Sequence, residues 1–197
     1  MEPKKTLNRT ESFKDVKLKR GPQVITRKDG ASVVAETGLK PDWVCLDLGG
    51  GSGFLSLFLA NLLTKGDITT YEIKEENAEI IKENIRRLGF ANIKVVNKPA
   101  EKFTGKNFDL ITMDMKGAEK LVEKCYKALK TGGYLVVYSP HIDQQLACKK
   151  SVEKAGFSFV KTVENIQREW MIDTRGYAHP IPSQLVHTGF LTFARKE

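Results

Sequence analysis

Cysteine is scarce in this chain, with Cys45, Cys125 and Cys148 as its whole complement, and no two of them stand at C-x-x-C spacing. An odd, scattered set in apolar surroundings excludes a disulfide framework; it predicts reduced, partly buried thiols and hence an intracellular, cytoplasmic setting. Histidine is as rare, at three residues, and no His/Cys/Asp/Glu cluster has metal-ligand spacing, so no metal is expected. Long apolar runs are missing too. The most hydrophobic stretch, 54–63, is interrupted by Ser56 and Asn61, and no apolar segment follows Lys4 and Lys5. Neither a membrane span nor a signal peptide is expected. The chain also has no internal repeat and no low-complexity segment.

What is present suits a globular protein. Hydrophobic residues make up 41% and charged residues 28% of 197 residues, which excludes a wholly disordered chain and fits one α/β domain with a single core. Acids are outnumbered: the formal net charge is +8, which favours a polyanionic partner because Lys and Arg release counterions from phosphates. Half of that excess lies in residues 1–20, where seven Lys or Arg face three Asp or Glu. This segment reads as a basic arm, either contacting the polyanion or simply solvated.

Along the chain the hydrophobic period switches regularly. Residues 20–25 read as a loop or short strand, and Asp29 stands where it would cap a helix over 30–37. Strands are expected over 43–48, 67–73, 93–96, 108–113 and 134–139, with helices over 54–63, 75–88, 117–129 and 144–155. Gly89 ends the third helix. Such alternation implies parallel strands joined by right-handed crossovers, with helices on both faces. Runs 157–165 and 188–194 have no helix between them and are expected to pair antiparallel at one edge. The count suits a seven-stranded, mostly parallel sheet.

The stretch Asp47-Leu48-Gly49-Gly50-Gly51-Ser52-Gly53 follows the first strand and opens a helix, the place where an open α/β sheet binds ligands. Its spacing is G-x-G-x-G, and Phe54 stands where the dinucleotide fingerprint needs glycine, which argues against a nicotinamide or flavin cofactor. A turn that need not cradle a pyrophosphate suits S-adenosylmethionine, and Glu72, after the second strand, can accept hydrogen bonds from both ribose hydroxyls. On this reading Gly49, Gly51, Ser52 and Gly53 approach the cofactor, with Ile73 beside Glu72. Asp47 orients the turn or the cofactor's ammonium group, or merely caps the loop.

Together these residues resemble the class I S-adenosylmethionine-dependent methyltransferases, with their Rossmann-like sheet. Three segments narrow the likeness: Arg20-Gly21-Pro22-Gln23-Val24-Ile25-Thr26-Arg27-Lys28-Asp29, Thr70-Tyr71-Glu72-Ile73, and His187-Thr188-Gly189-Phe190-Leu191-Thr192-Phe193-Ala194-Arg195. They are similar to the tRNA adenine N1-methyltransferases, and the match runs from about Arg20 to Arg195, so residues 21–197 read as the methyltransferase domain after the arm. The resemblance implies that Gln23 and the turn contact the cofactor, and that Asp114, after the fourth strand, faces both the cofactor and the target base. Independently, adenine N1 becomes cationic on methylation, so a carboxylate nearby favours the developing charge by roughly 4 kcal/mol at ~4 Å and an effective dielectric near 20. The other reading of Asp114 is a cap for the helix near Gly117.

The chain departs from the family in three places. About forty residues precede Trp43, where family members usually carry a β-rich domain. Asn97-Lys98-Pro99 stands where the family tends to have Gly-Asp against the cofactor's adenine, leaving Asn97, with Lys98 beside it, or Glu101 for that contact. Met115-Lys116 replaces the proline that commonly follows the catalytic Asp.

The segment 168–180 mixes Arg168, Trp170, Arg175 and Tyr177, a composition that can stack a splayed base and meet phosphate, or can cover the sheet edge. His141 and Gln144 lie beyond the fifth strand, within reach of an acceptor. His179 and His187 read as structural. The expected function is transfer of a methyl group to a base nitrogen of tRNA or rRNA, with adenine N1 as the precedent and rRNA adenine or cytosine N4 as rivals. Small-molecule methylation of the corrinoid-precursor type and a silent RNA-binding subunit are the alternatives. Homo-oligomer formation stays open.

Overall fold

The computed structural model describes residues 16–21, 24–182 and 185–197. Gln23 and residues 1–15 of the arm lie outside them. The elements in chain order are α1 (Arg27–Thr37), β1 (Val44–Leu48), α2 (Phe54–Leu62), β2 (Asp67–Tyr71), α3 (Glu75–Leu88), β3 (Ile93–Val96) and β4 (Phe108–Met113). They continue with α4 (Val122–Ala128), β5 (Leu129–Ser139), α5 (Ile142–Ala155), β6 (Phe159–Glu164), β7 (Trp170–Ile172), β8 (Ala178–Pro180) and β9 (Phe190–Arg195). Seven strands form one sheet in the order β3-β2-β1-β4-β5-β9-β6. Strands β1 to β5 pair in parallel, whereas β9 pairs antiparallel with both β5 and β6. This is the expected seven-stranded, mostly parallel sheet with helices on both faces, antiparallel edge included.

Alternation along the strands divides the core. Leu46, Leu48, Ile111, Met113, Leu135 and Val137 face Val122 and Cys125 of α4 and Cys148 and Val152 of α5. Cys45, Leu110, Val136, Leu191 and Phe193 face Val33 of α1 and Leu55, Leu59 and Ala60 of α2. Period-2 strands between helices on two faces need both sets apolar, which is why the strands read as near-continuous hydrophobic runs. All three cysteines are buried and free, and burial raises the Cys125 thiol to about 12 and that of Cys148 to about 11.

Several boundaries differ from expectation. Helix α1 begins at Arg27, three residues early, because Thr26 is its N-cap residue and Asp29 sits inside the first turn. The Asp29 carboxylate is fully buried and accepts hydrogen bonds from the Thr26 and Thr188 hydroxyls, at 2.8 and 2.7 Å, and from Lys28 Nζ at 3.1 Å. Tertiary contacts thus pull it inward from a cap role. The helix expected over 117–129 is a 3-10 turn, Ala118–Lys120, followed by the short α4, since Gly117 enters in the left-handed region at φ 81°. Helix α5 starts at Ile142 and β5 at Leu129, both earlier than hydrophobicity suggested. An antiparallel hairpin, β7 with β8, lies within the segment 168–180, for which no strand was expected.

Candidate active site

The order of strands reverses between β1 and β4, and at that point the ends of the two strands part into a crevice. Gly49 leaves β1 there and Asp114 leaves β4; Asp114 N–H donates to Leu48 O at 2.9 Å. Gly49, Gly51 and Gly53 all have positive φ, at 89°, 55° and 86°. At Gly49 close approach adds to the backbone demand, because a Cβ would lie 2.2 Å from Asp114 O. The N–H groups of Gly49 and Gly50 both donate to Tyr71 O, fastening the turn to the end of β2.

Glu72 anchors the same turn from the other side. One carboxylate oxygen accepts from Gly51 N–H at 2.7 Å and the other from Lys74 N–H at 2.8 Å, so the carboxylate joins the glycine turn to the start of α3. It is buried, and each oxygen keeps a lone pair for a ligand. The next residue, Ile73, is 65% exposed, a bare aliphatic surface beside the cleft.

Asp47 lies beneath the turn. Its two oxygens take the hydroxyls of Thr112, at 2.7 Å, and Thr70, at 2.9 Å, from the flanking strands β4 and β2. Burial raises its carboxyl above the ordinary range. Asp114 is different. Among the described residues its side chain makes no hydrogen bond, so it caps no helix, and burial, reinforced by the charges of Asp47 and Glu72, raises it to about 7. Three carboxylates converging on one crevice make a negative potential suited to a cation and hostile to a pyrophosphate.

The cleft above them encloses about 570 Å³ and is lined by Gly49, Gly51, Ser52, Tyr71, Glu72, Ile73, Lys74, Asn77, Pro99, Ala100, Glu101, Asp114, Met115 and Lys116. Ser52 Oγ is buried and has no hydrogen-bond partner among the described residues, which leaves a polar atom for a ligand to satisfy. Of the residues expected at the cofactor, Gly49, Gly51, Ser52, Glu72, Ile73 and Asp114 therefore share one cleft. Gly53 turns away, its Cα against Ile81 of α3. Asn97 and Lys98 do not line the cleft. The Asn97 amide instead donates to the carbonyls of Glu72 and Ile73, at 2.8 and 3.1 Å, bracing that segment, and Glu101 takes the place on the wall. Lys74 and Asn77 were missed; their signal was a helix start immediately after the acid.

The residues expected at the acceptor are spread more widely. Gln144 lines a smaller hollow of about 270 Å³ next to Met115 and Lys116, where the Ser139 hydroxyl donates to its Oε1 at 2.5 Å. His141 is the exposed N-cap residue of α5. Arg168, Trp170, Arg175 and Tyr177 border neither space. Trp170 and Tyr177 are exposed on the β7–β8 hairpin, and Arg175 is held by Asp173 across its turn at 2.9 Å. His187 bridges Glu164 and Pro140 O at 2.5 and 3.2 Å, and the Glu164 carboxylate raises it above its ordinary value.

A family model described as a methyltransferase domain matches residues 39–181. The chain belongs to the class I methyltransferases. As a methyltransferase of this class it uses S-adenosylmethionine, and the unpaired Ser52 hydroxyl, the bare glycine turn and the carboxylate cluster fit a sulfonium donor. The enzyme is 30% identical to the TrmI tRNA (adenine-N(1))-methyltransferase of Methanocaldococcus jannaschii, over 91% of this chain and 73% of the relative. The solved structure of TrmI from Aquifex aeolicus superposes with a TM-score of 0.84 at 24% identity, covering 91% of this chain and 72% of that one. A precorrin-6y C5,15-methyltransferase from Geobacter metallireducens shares the fold at a TM-score of 0.75 and 18% identity, covering 91% and 95%.

Proposed function

We propose that the methyltransferase modifies a base nitrogen of RNA, with adenine N1 of tRNA as the leading acceptor and rRNA as the rival. The observation that carries this reading is Asp114, an unpaired, largely buried carboxylate at the switch point, beside the glycine turn. The bound cofactor supplies an electrophilic methyl group on a sulfonium. Glu72, the bare glycine turn and Ser52 would hold its ribose and amino-acid ends, Ile73 would offer an apolar surface to its adenine, and Glu101 could accept from the adenine edge. Ser52 satisfies its hydroxyl on the ligand.

Asp114 acts on the acceptor. Its carboxylate accepts a hydrogen bond from the exocyclic amino group and faces the ring nitrogen whose lone pair forms the new bond, so the charge appearing on the base meets an anion already in place. In-line alignment of nucleophile and methyl supplies the rest of the acceleration. Gln144 lies close enough to the loop of Asp114 to read the acceptor's far edge. The similarity to tRNA methyltransferases over nine-tenths of the chain, and a net charge of +8, favour RNA over a small corrinoid-like acceptor. Retention of Glu72 and Asp114 favours a catalyst over a silent subunit.

The test is transfer of labelled methyl from the cofactor into unmodified tRNA and rRNA, followed by nucleoside mass spectrometry. Label in 1-methyladenosine, lost in Asp114→Ala with cofactor uptake retained, supports the assignment. Label in neither RNA with an active preparation refutes the RNA acceptor.

A further inference from the structure

Residues 17–20, which read in the sequence as the end of a solvated or contacting arm, are fastened to α3, and Asn84 makes the central joint. Its side chain is fully buried; it accepts from Lys19 N–H at 2.8 Å and donates to Lys19 O at 2.9 Å and to Ser52 O at 3.2 Å. A primary amide has both an acceptor and two donor hydrogens, so this one side chain holds the backbone of the arm on one side and that of the glycine turn on the other. Beside it, Arg87 donates to Lys17 O at 2.8 Å and Glu83 pairs with Lys19 Nζ at 2.5 Å. Residues 17–21 thus form a strap against α3.

The strap ends behind the cofactor cleft. A Cβ on Gly21 would lie 3.3 Å from Ser52 Cβ, 3.5 Å from Ser52 Oγ and 3.9 Å from Asn77 Oδ1, so the bare Cα of Gly21 backs two residues of the cleft wall. Asn77, Ile81 and Asn84 recur at i, i+4 and i+7 and therefore share one face of α3. Along that face Asn77 lines the cleft, Ile81 packs on Gly53, and Asn84 grips Ser52 O and Lys19. The glycine turn is clamped between strap and helix. When the strap lifts, Ser52 loses the backing of Gly21, and Asn84 loses two of the three hydrogen bonds that fix its amide on Ser52 O.

We propose that Asn84 is a positioning residue for the cofactor: it couples the strap to the glycine turn, so that docking of residues 17–21 and uptake of S-adenosylmethionine stabilise one another. A ligand that meets Ser52 and Asn77 already fixed does not have to order them on binding, and its affinity is higher by that difference. Such coupling is reciprocal: the factor by which bound cofactor suppresses opening of the strap equals the factor by which opening weakens the cofactor. Nothing in this coupling depends on which acceptor is methylated.

The experiment uses the full chain and two readouts: trypsin cleavage after Lys17 and Lys19, followed by fragment mass with and without saturating S-adenosylhomocysteine, and the affinity for that product by calorimetry. Trypsin cuts the opened strap, so its rate reports the open population. In the parent, bound product should slow these cuts about tenfold. Glu83→Gln/Arg87→Gln loosens the strap at the surface but keeps the joint; its cuts should be about threefold faster and still slowed about tenfold by product. Asn84→Ala should be cut faster too, but with product slowing the cuts less than about twofold and binding about tenfold more weakly. Asn84→Ser, whose hydroxyl eases the buried gap yet is too short to span Lys19 and Ser52, should behave like the Ala variant and serves if that one does not fold. Cuts in the parent that ignore saturating product overturn the coupling. Full protection and parental affinity in either Asn84 variant overturn the role of Asn84, leaving it a fastening for the strap alone.

Discussion

The most discriminating prediction concerns Asp114 and the charge on the donor. Burial and the neighbouring charges of Asp47 and Glu72 lift its carboxyl from 3.8 to about 7, so at pH 5.5 the free enzyme carries only about one ionised Asp114 in thirty. A ligand that favours the ionised form then gains affinity about tenfold per pH unit below 7 and levels off above it. S-Adenosylmethionine carries a sulfonium, whereas its demethylated product has a neutral sulfur; both carry the same α-ammonium. Calorimetric titration from pH 5.5 to 8 should therefore show affinity for the donor rising up to about thirty-fold and affinity for the product changing far less. Asp114→Asn should flatten the donor's profile, which separates Asp114 from Asp47, also raised by burial, and from Glu72. The sign for stability is opposite to that of an ordinary salt-bridged carboxylate. The folded state holds the extra proton between about pH 4 and 7, so the ligand-free enzyme should lose stability over that window, by at most on the order of 4 kcal/mol, and the Asn variant should lose less. A flat donor profile in the parent, or an equal slope for donor and product, would sink the placement of Asp114 at the methyl.

Glu72→Gln places an amide donor against one of two backbone N–H groups, so cofactor affinity should fall at least tenfold by calorimetry; unchanged affinity would remove Glu72 from the site. Gly49→Ala sets a Cβ 2.2 Å from a backbone carbonyl at φ 89°, and a loss of several kcal/mol in urea unfolding is expected, against a wild-type midpoint if the turn can relax. Asn84→Ala leaves Lys19 and Ser52 without three hydrogen bonds in a buried position, and should cost about 2–3 kcal/mol and expose the bond following Lys17 or Lys19 to trypsin; unaltered cleavage would mean that the strap is not held there.

The glycine turn and the acid that share the cleft were legible in one dimension. A glycine cannot be replaced where φ is positive and a backbone carbonyl crowds its Cα, so G-x-G-x-G after a strand carries its meaning locally, as does an acid at the end of the next strand. The alternation of periods 2 and 3.6 likewise prescribed the parallel strands, both helical faces and the antiparallel edge, because each residue's face follows from its position in the element. What sequence could not supply was which groups meet across the fold. Asp29 looked like a helix cap, yet Thr188, 159 residues away, holds its carboxylate in the core. Asn97 looked like a cofactor contact and turned out to brace Glu72 and Ile73. The arm's last residues gained a fixed place through Asn84, Glu83 and Arg87 of α3, and nothing in the spacing of those three residues marks them as partners of residues 17–19. Local backbone demands are written residue by residue, whereas hydrogen-bond partners and shared electrostatic fields depend on distances that only packing sets.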